Sequence, residues 1–143
     1  MAIRTYVRCV ISLLTGLWVT IGAAIPIGYL VLRLLRSANG GELGPDLLAR
    51  PGVALSLLAA YALAAAIGGW AAGWVTIERR RRLTVFLSAS HVGTWLVVLA
   101  AGASPFEPGL TLGLASAAVL GTIAGVFARA WQVSRGSRMP VAG

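Results

Sequence analysis

The stretch SASHVGTW, residues 88 to 95, holds the only histidine of the chain. An imidazole is the side chain that changes charge nearest neutral pH, and this one lies inside a long apolar run. Helical spacing sets Ser88, Thr94 and Trp95, at i−3, i+3 and i+4, on the face of His91. Helical rise puts His91 about 12 Å from the inner end of its run. Trp18, Trp70 and Thr122 fall at a similar depth in the other runs. The six residues His91, Thr94, Trp95, Trp18, Trp70 and Thr122 form a candidate intramembrane pocket. Such a layer suits a flat ligand, a proton relay, or axial ligation of a haem or chlorophyll-like ring. One histidine supplies two axial ligands only where two chains meet. The same spacing also fits a structural reading, in which a neutral His91 bonds a Ser or Thr across helices and the Trp rings fill gaps opposite glycines. That reading is preferred, and it requires no cofactor.

The second chemical feature is VTIERRRRLTV, residues 75 to 85, where Arg79, Arg80, Arg81 and Arg82 stand between two apolar runs. An arginine at mid-helix costs about 2.5 to 3.5 kcal/mol on insertion scales, so four would cost on the order of 10 kcal/mol inside a bilayer. They must lie in water or among headgroups. A nucleic-acid patch is the competing reading, since the pI is near 11.5 and basic runs neutralise phosphates. The run has no interleaved aromatics to stack on bases. It is also pinned where anionic lipid attracts each Arg by about 1 kcal/mol. A topology and lipid anchor is expected, with anionic headgroups as the partner and no nucleic acid.

Enzyme chemistry finds little support. The four acids, Glu42, Asp46, Glu78 and Glu107, all fall between apolar runs, and no Ser/His/acid set, phosphate loop or dinucleotide fingerprint occurs. The single Cys9 excludes a disulfide or a cysteine-only metal site within one chain. No Asp, Glu, Lys or Arg stands near the middle of a run, whereas a cation-coupled exporter needs an ionisable group at mid-depth. Small four-helix multidrug exporters share the size and span number, but their first-helix acid has no counterpart in CVISLLTGLWVTIGAAIPIGYLVL. No family resemblance follows.

The elements that must position these residues are set by composition. Of 143 residues, 58% are hydrophobic and 11% charged, with mean hydropathy +0.85, unlike a soluble globular domain. Apolar runs at about 9–32, 53–77, 83–103 and 109–130 each match the ~30 Å hydrocarbon core as a helix. Open strands would leave backbone groups unpaired in lipid. An all-α, four-helix transmembrane bundle in a single domain follows. Pro51 is placed to start the second span after the Gly-rich loop 37–52. In SPFEPG, Pro105 is expected to end the third span and Pro108 to start the fourth. Pro26 is expected to kink or loosen the first.

Placing the arginine run in the cytoplasm puts Arg4, Arg8, Arg79–Arg82, Arg129, Arg135 and Arg138 on that side against Arg33, Arg36 and Arg50 outside. This agrees with the positive-inside rule, so both termini are expected in the cytoplasm. Arg33 and Arg36 then snorkel to lipid phosphates or to Glu42 and Asp46, and Trp74, Trp131, Tyr6 and Tyr29 read as interfacial anchors. Arginine used without lysine, among abundant Ala, Gly and Leu, points to a GC-rich bacterial genome, and a bacterial inner membrane is the expected location. The first span is twice the length of a signal-peptide core and is expected to be retained.

Helices in lipid associate through close approach at small residues. Rows at i+4 spacing include Ser12, Gly16 and Thr20 in the first span; Gly68, with a neighbouring row through Gly69 and Gly73, in the second; Ala89 and Gly93 in the third; and Gly113, Gly121 and Gly125 in the fourth. They serve internal packing, a homo-oligomer or a larger membrane complex. Three roles remain open: a non-enzymatic accessory subunit, which is preferred; a minimal transporter or channel using His91; and a haem- or quinone-binding protein.

Overall fold

Backbone N–H and C=O groups have no partner in a hydrocarbon layer other than each other, and the chain satisfies them within four helices. The computed structural model describes residues 2–38, 40, 50–75, 80–103 and 106–136. The helices are α1 (Ala2–Ala38), α2 (Pro51–Val75), α3 (Arg80–Ala100) and α4 (Pro108–Gly136), with no strand among the described residues. All four are long and apolar enough to cross a membrane. The fold is the all-α four-helix bundle that the apolar runs imply.

The helices overrun the apolar runs where no breaker stops them. Helix α1 continues through Pro26 without interruption and reaches Ala2 and Ala38, and α4 runs on to Gly136. The Arg50 carbonyl accepts the N–H groups of Val53 and Ala54 at 3.0 and 3.1 Å, and Pro51, which has no N–H to place, opens α2. At the start of α4 the Glu107 carbonyl accepts both the N–H and the hydroxyl of Thr111, at 3.0 and 3.1 Å.

The end of α3 differs from expectation. Gly102 takes a left-handed φ of 63°. Its N–H reaches the Leu99 carbonyl at 3.1 Å, while Ala103 N–H reaches the Val98 carbonyl at 3.0 Å. This pair of reverse bonds is a Schellman stop. A glycine able to adopt positive φ ends α3 before the chain reaches Pro105, which lies outside the described residues together with Ser104.

Around the bundle, α1 packs on α2, α2 on α4, α4 on α3, and α3 returns to α1, while α2 also touches α3. The two small-residue rows of α2 separate its two main neighbours. Its face through Ala64, Gly68 and Ala72 meets α1 running antiparallel: the Ser12 hydroxyl donates to the Ala72 carbonyl at 2.6 Å, and a Cβ built on Gly68 would lie 2.5 Å from the Gly16 carbonyl oxygen and against the Thr20 hydroxyl. The adjacent face meets α4 running parallel. Gly69 lies against the backbone of Thr122, Gly121 against Ala62, Gly125 against Ala66, Gly73 against the stem of Arg129 and Gly113 against Leu58. Backbone-to-backbone approach of this kind is open only to residues without a side chain. Toward the end where α2 stops and α3 starts, called the inner end below, Ala72, Leu83, Leu87 and Val126 form a buried cluster with Leu13 and Leu17 against it.

Candidate functional site

Helix α3 turns Leu83, Leu87 and His91 inward at four-residue intervals, and all three are buried. His91 is 3% exposed, with Nδ1 2.8 Å from the Leu87 carbonyl oxygen. A carbonyl can only accept, so Nδ1 carries the hydrogen and donates it. The lone pair of the neutral ring is thereby left on Nε2. That atom is buried with no hydrogen-bond partner among the described residues. On α4, Val126 belongs to the same cluster as Leu87. One turn outward from those two residues, on helices of opposite direction, come His91 and Thr122.

Thr122 is fully buried, and its hydroxyl also lacks a partner among the described residues. Thr20 of α1, 2% exposed, is next to Gly68 and returns its hydroxyl hydrogen to the Gly16 carbonyl at 2.8 Å. A polar layer with few side-chain atoms thus crosses the bundle one turn beyond the apolar cluster. Unpartnered polar groups in such a setting are costly. Thr20 belongs to this layer by position, although in the sequence it reads as one more small residue of a packing row.

The other members of the candidate pocket disperse. Trp18 is 72% exposed. Helix α1 buries Ser12, Gly16 and Thr20, and a residue two places from Gly16 is turned about 200° away from that seam. Equal depth in the membrane therefore does not bring Trp18 to the pocket. Thr94 is exposed on the flank of α3 and donates to the Ser90 carbonyl at 2.8 Å. Trp70 faces the inner end, where its Nε1 donates to Gln132 Oε1 at 2.9 Å and its ring meets Trp74 edge-on at 5.5 Å.

Trp95 does face the bundle, edge-on to Tyr61 with ring centroids 5.6 Å apart. The pair lines an apolar cleft of about 160 Å³ in the outer half, bounded also by Ala24, Gly28, Phe106 and Leu114. His91 is one turn inward from Trp95, about 6 Å by helical rise. Tyr61 is the residue that sequence reasoning passed over. Its one signal is a phenol inside an otherwise apolar span.

At the inner end Arg81 and Arg82 open α3 with exposed side chains, after Arg80 as its first residue; Arg79 lies outside the described residues. Arg129 packs over Trp74, with its Cζ 4.0 Å from the ring centroid. At the opposite end Arg33 and Arg36 are exposed, and Glu42 and Asp46, their suggested partners, lie outside the described residues. Among the described residues no three His, Cys, Asp or Glu side chains gather to hold a metal ion.

Four spans of this length and apolarity make the chain a small multi-pass membrane protein. Compared with protein-family models, curated proteins and solved structures, it matches none.

Proposed function

We propose that this chain is an accessory or structural subunit of the bacterial inner membrane, with both termini in the cytoplasm and no chemistry of its own. The observation that supports this most is how the small-residue rows are used. Gly16, Gly68, Gly69, Gly73, Gly113, Gly121 and Gly125 all sit against other helices of the same chain, so the bundle is closed by its own contacts. Outside those contacts α1 presents Ile11, Leu14, Trp18, Ile21 and Ile25 outward. A membrane partner or a further copy would meet this face, and anionic headgroups would meet the arginines. The excess of arginine on one side favours the proposed orientation.

The deciding experiment is recovery of the tagged chain from native membranes in mild detergent. A stoichiometric membrane partner or a defined homo-oligomer is expected. Recovery of a lone monomer with full cellular function would sink the accessory role.

A second reading is supported by the cleft beside Tyr61 and Trp95, together with the His91 Nε2 one turn away. There the chain would bind a flat apolar ligand such as a haem or quinone, or conduct a solute past His91. A Soret band in protein from haem-supplied cells would favour haem, and loss of a liposome flux in His91→Ala would favour transport. Absence of both, with no quinone in an organic extract of the purified protein, removes this reading.

A further inference from the structure

The geometry points to a binding site for the phosphate of an anionic phospholipid at the inner end of the α2–α4 seam, built on Arg129. Gly73 has no side chain, so the stem of Arg129 lies directly on α2, with Cγ 3.0 Å from where a Cβ would stand. The guanidinium then covers the Trp74 ring at 4.0 Å, and Nη1 points to Gln132 Oε1 at 3.5 Å. Gln132 is itself held by the Trp70 indole N–H at 2.9 Å. Two helices thus hold the position of one cation before any ligand arrives.

Among the described residues, nothing of opposite charge meets that cation. Its partners are a ring face and a neutral amide, and neither carries negative charge. Glu107 is the one carboxylate side chain among the described residues, and it lies at the opposite end of the bundle, while Glu78 lies outside the described residues. Arg81, Arg82 and Arg135 are exposed at the same end of the bundle. Depth also fits. Helix α2 ends at Val75, two residues past Gly73 and about 3 Å by helical rise. A fixed planar fork at headgroup level matches two oxygens of a phosphodiester.

The site rests on the reading that this end of the bundle lies among anionic headgroups, and it assigns that contact to one residue. The full chain in phosphatidylcholine nanodiscs tests it, with phosphatidylglycerol or phosphatidylcholine carrying brominated acyl chains as quenchers of tryptophan emission. The brominated phosphatidylglycerol should associate about fivefold more strongly, the factor expected for one arginine at an anionic surface. Arg129→Gln should abolish that preference, while Arg81→Gln with Arg82→Gln should leave most of it. A preference that survives Arg129→Gln, or that the double variant removes as fully, overturns the site. Where Arg129→Gln does not fold, Arg129→Lys should give an intermediate preference, because an ammonium cannot fork. Full wild-type strength in that variant would show that diffuse charge alone selects the lipid, and would overturn the built site.

Inorganic phosphate in large excess should not displace the lipid; displacement would make this a simple anion site and overturn the lipid assignment. Nanodiscs expose both leaflets, so an inverted orientation in cells would leave this result intact. Conversely, loss of the lipid preference would leave recovery of a protein partner untouched.

Discussion

Gly125 and Gly93 look alike in the sequence, each a mid-span glycine among small and apolar residues, yet an added methyl group should act on them very differently. At Gly125 a Cβ would collide with the Ala66 carbonyl and come within 2.8 Å of the Trp70 backbone nitrogen, whereas at Gly93 it meets nothing within 4 Å. Backbone cannot step aside as a side-chain tip can. Gly125→Ala should therefore destabilise the bundle by about 1 to 3 kcal/mol, the usual range for overpacking. Gly93→Ala should be neutral or slightly stabilising through helix propensity. Unfolding of both variants by steric trapping in bicelles checks this, and equal losses would show that the α2–α4 contact is looser than described. The difference is invisible in the sequence because spacing gives a residue's face but not what stands opposite. Trp18 and His91 make the same point: both lie at one depth by helical rise, yet only His91 turns inward. Depth along a helix was legible at these positions, and azimuth was legible only where a row of small residues marked the seam.

Helix ends were legible where an imino acid or a charge fixes them. Pro51 and Pro108 open α2 and α4 because a first helical position has no use for the missing N–H. Arg80 to Arg82 open α3 against the preference of a helix N-terminus for acids. The burial cost of guanidinium in hydrocarbon outweighs that unfavourable dipole term. The stop of α3 was not legible in this way, because Gly102 ends the helix three residues before Pro105. With φ at +63°, an L side chain at 102 strains the turn and its two reverse hydrogen bonds. Gly102→Ala should cost ~1 kcal/mol and should speed hydrogen exchange at the Gly102 and Ala103 amides. Asn, which tolerates positive φ, should recover part of the loss at the same position. Unchanged exchange in the alanine variant would mean that the turn does not depend on left-handed backbone.

At the scale of the whole molecule, the number of spans follows from apolar length, but the order of helices around the bundle does not. Nothing in the sequence says that α2 and α4, separated by a complete span, run parallel in the closest contact; the glycines of both must be set face to face before that pairing appears. Orientation is a separate matter, because a bundle is equally well packed either way up. In the proposed orientation the deciding cost is arginine: each guanidinium that crosses during insertion carries one, and most lie at the inner end. Cys9 is the single cysteine, so Cys9→Ala gives a thiol-free background. Into it Glu107→Cys, exposed between α3 and α4, and Ser134→Cys, exposed on the last turns of α4, can be introduced one at a time. In intact spheroplasts an impermeant maleimide should label the thiol at 107 within minutes and reach the one at 134 only after lysis. Replacing Arg79 to Arg82 by Gln should then weaken the bias and give a mixed population, because the charge excess falls while that of the α1 and α4 ends remains. If the thiol at 134 reacts first in the unaltered background, the charge argument fails for this chain, and both termini lie outside the cytoplasm.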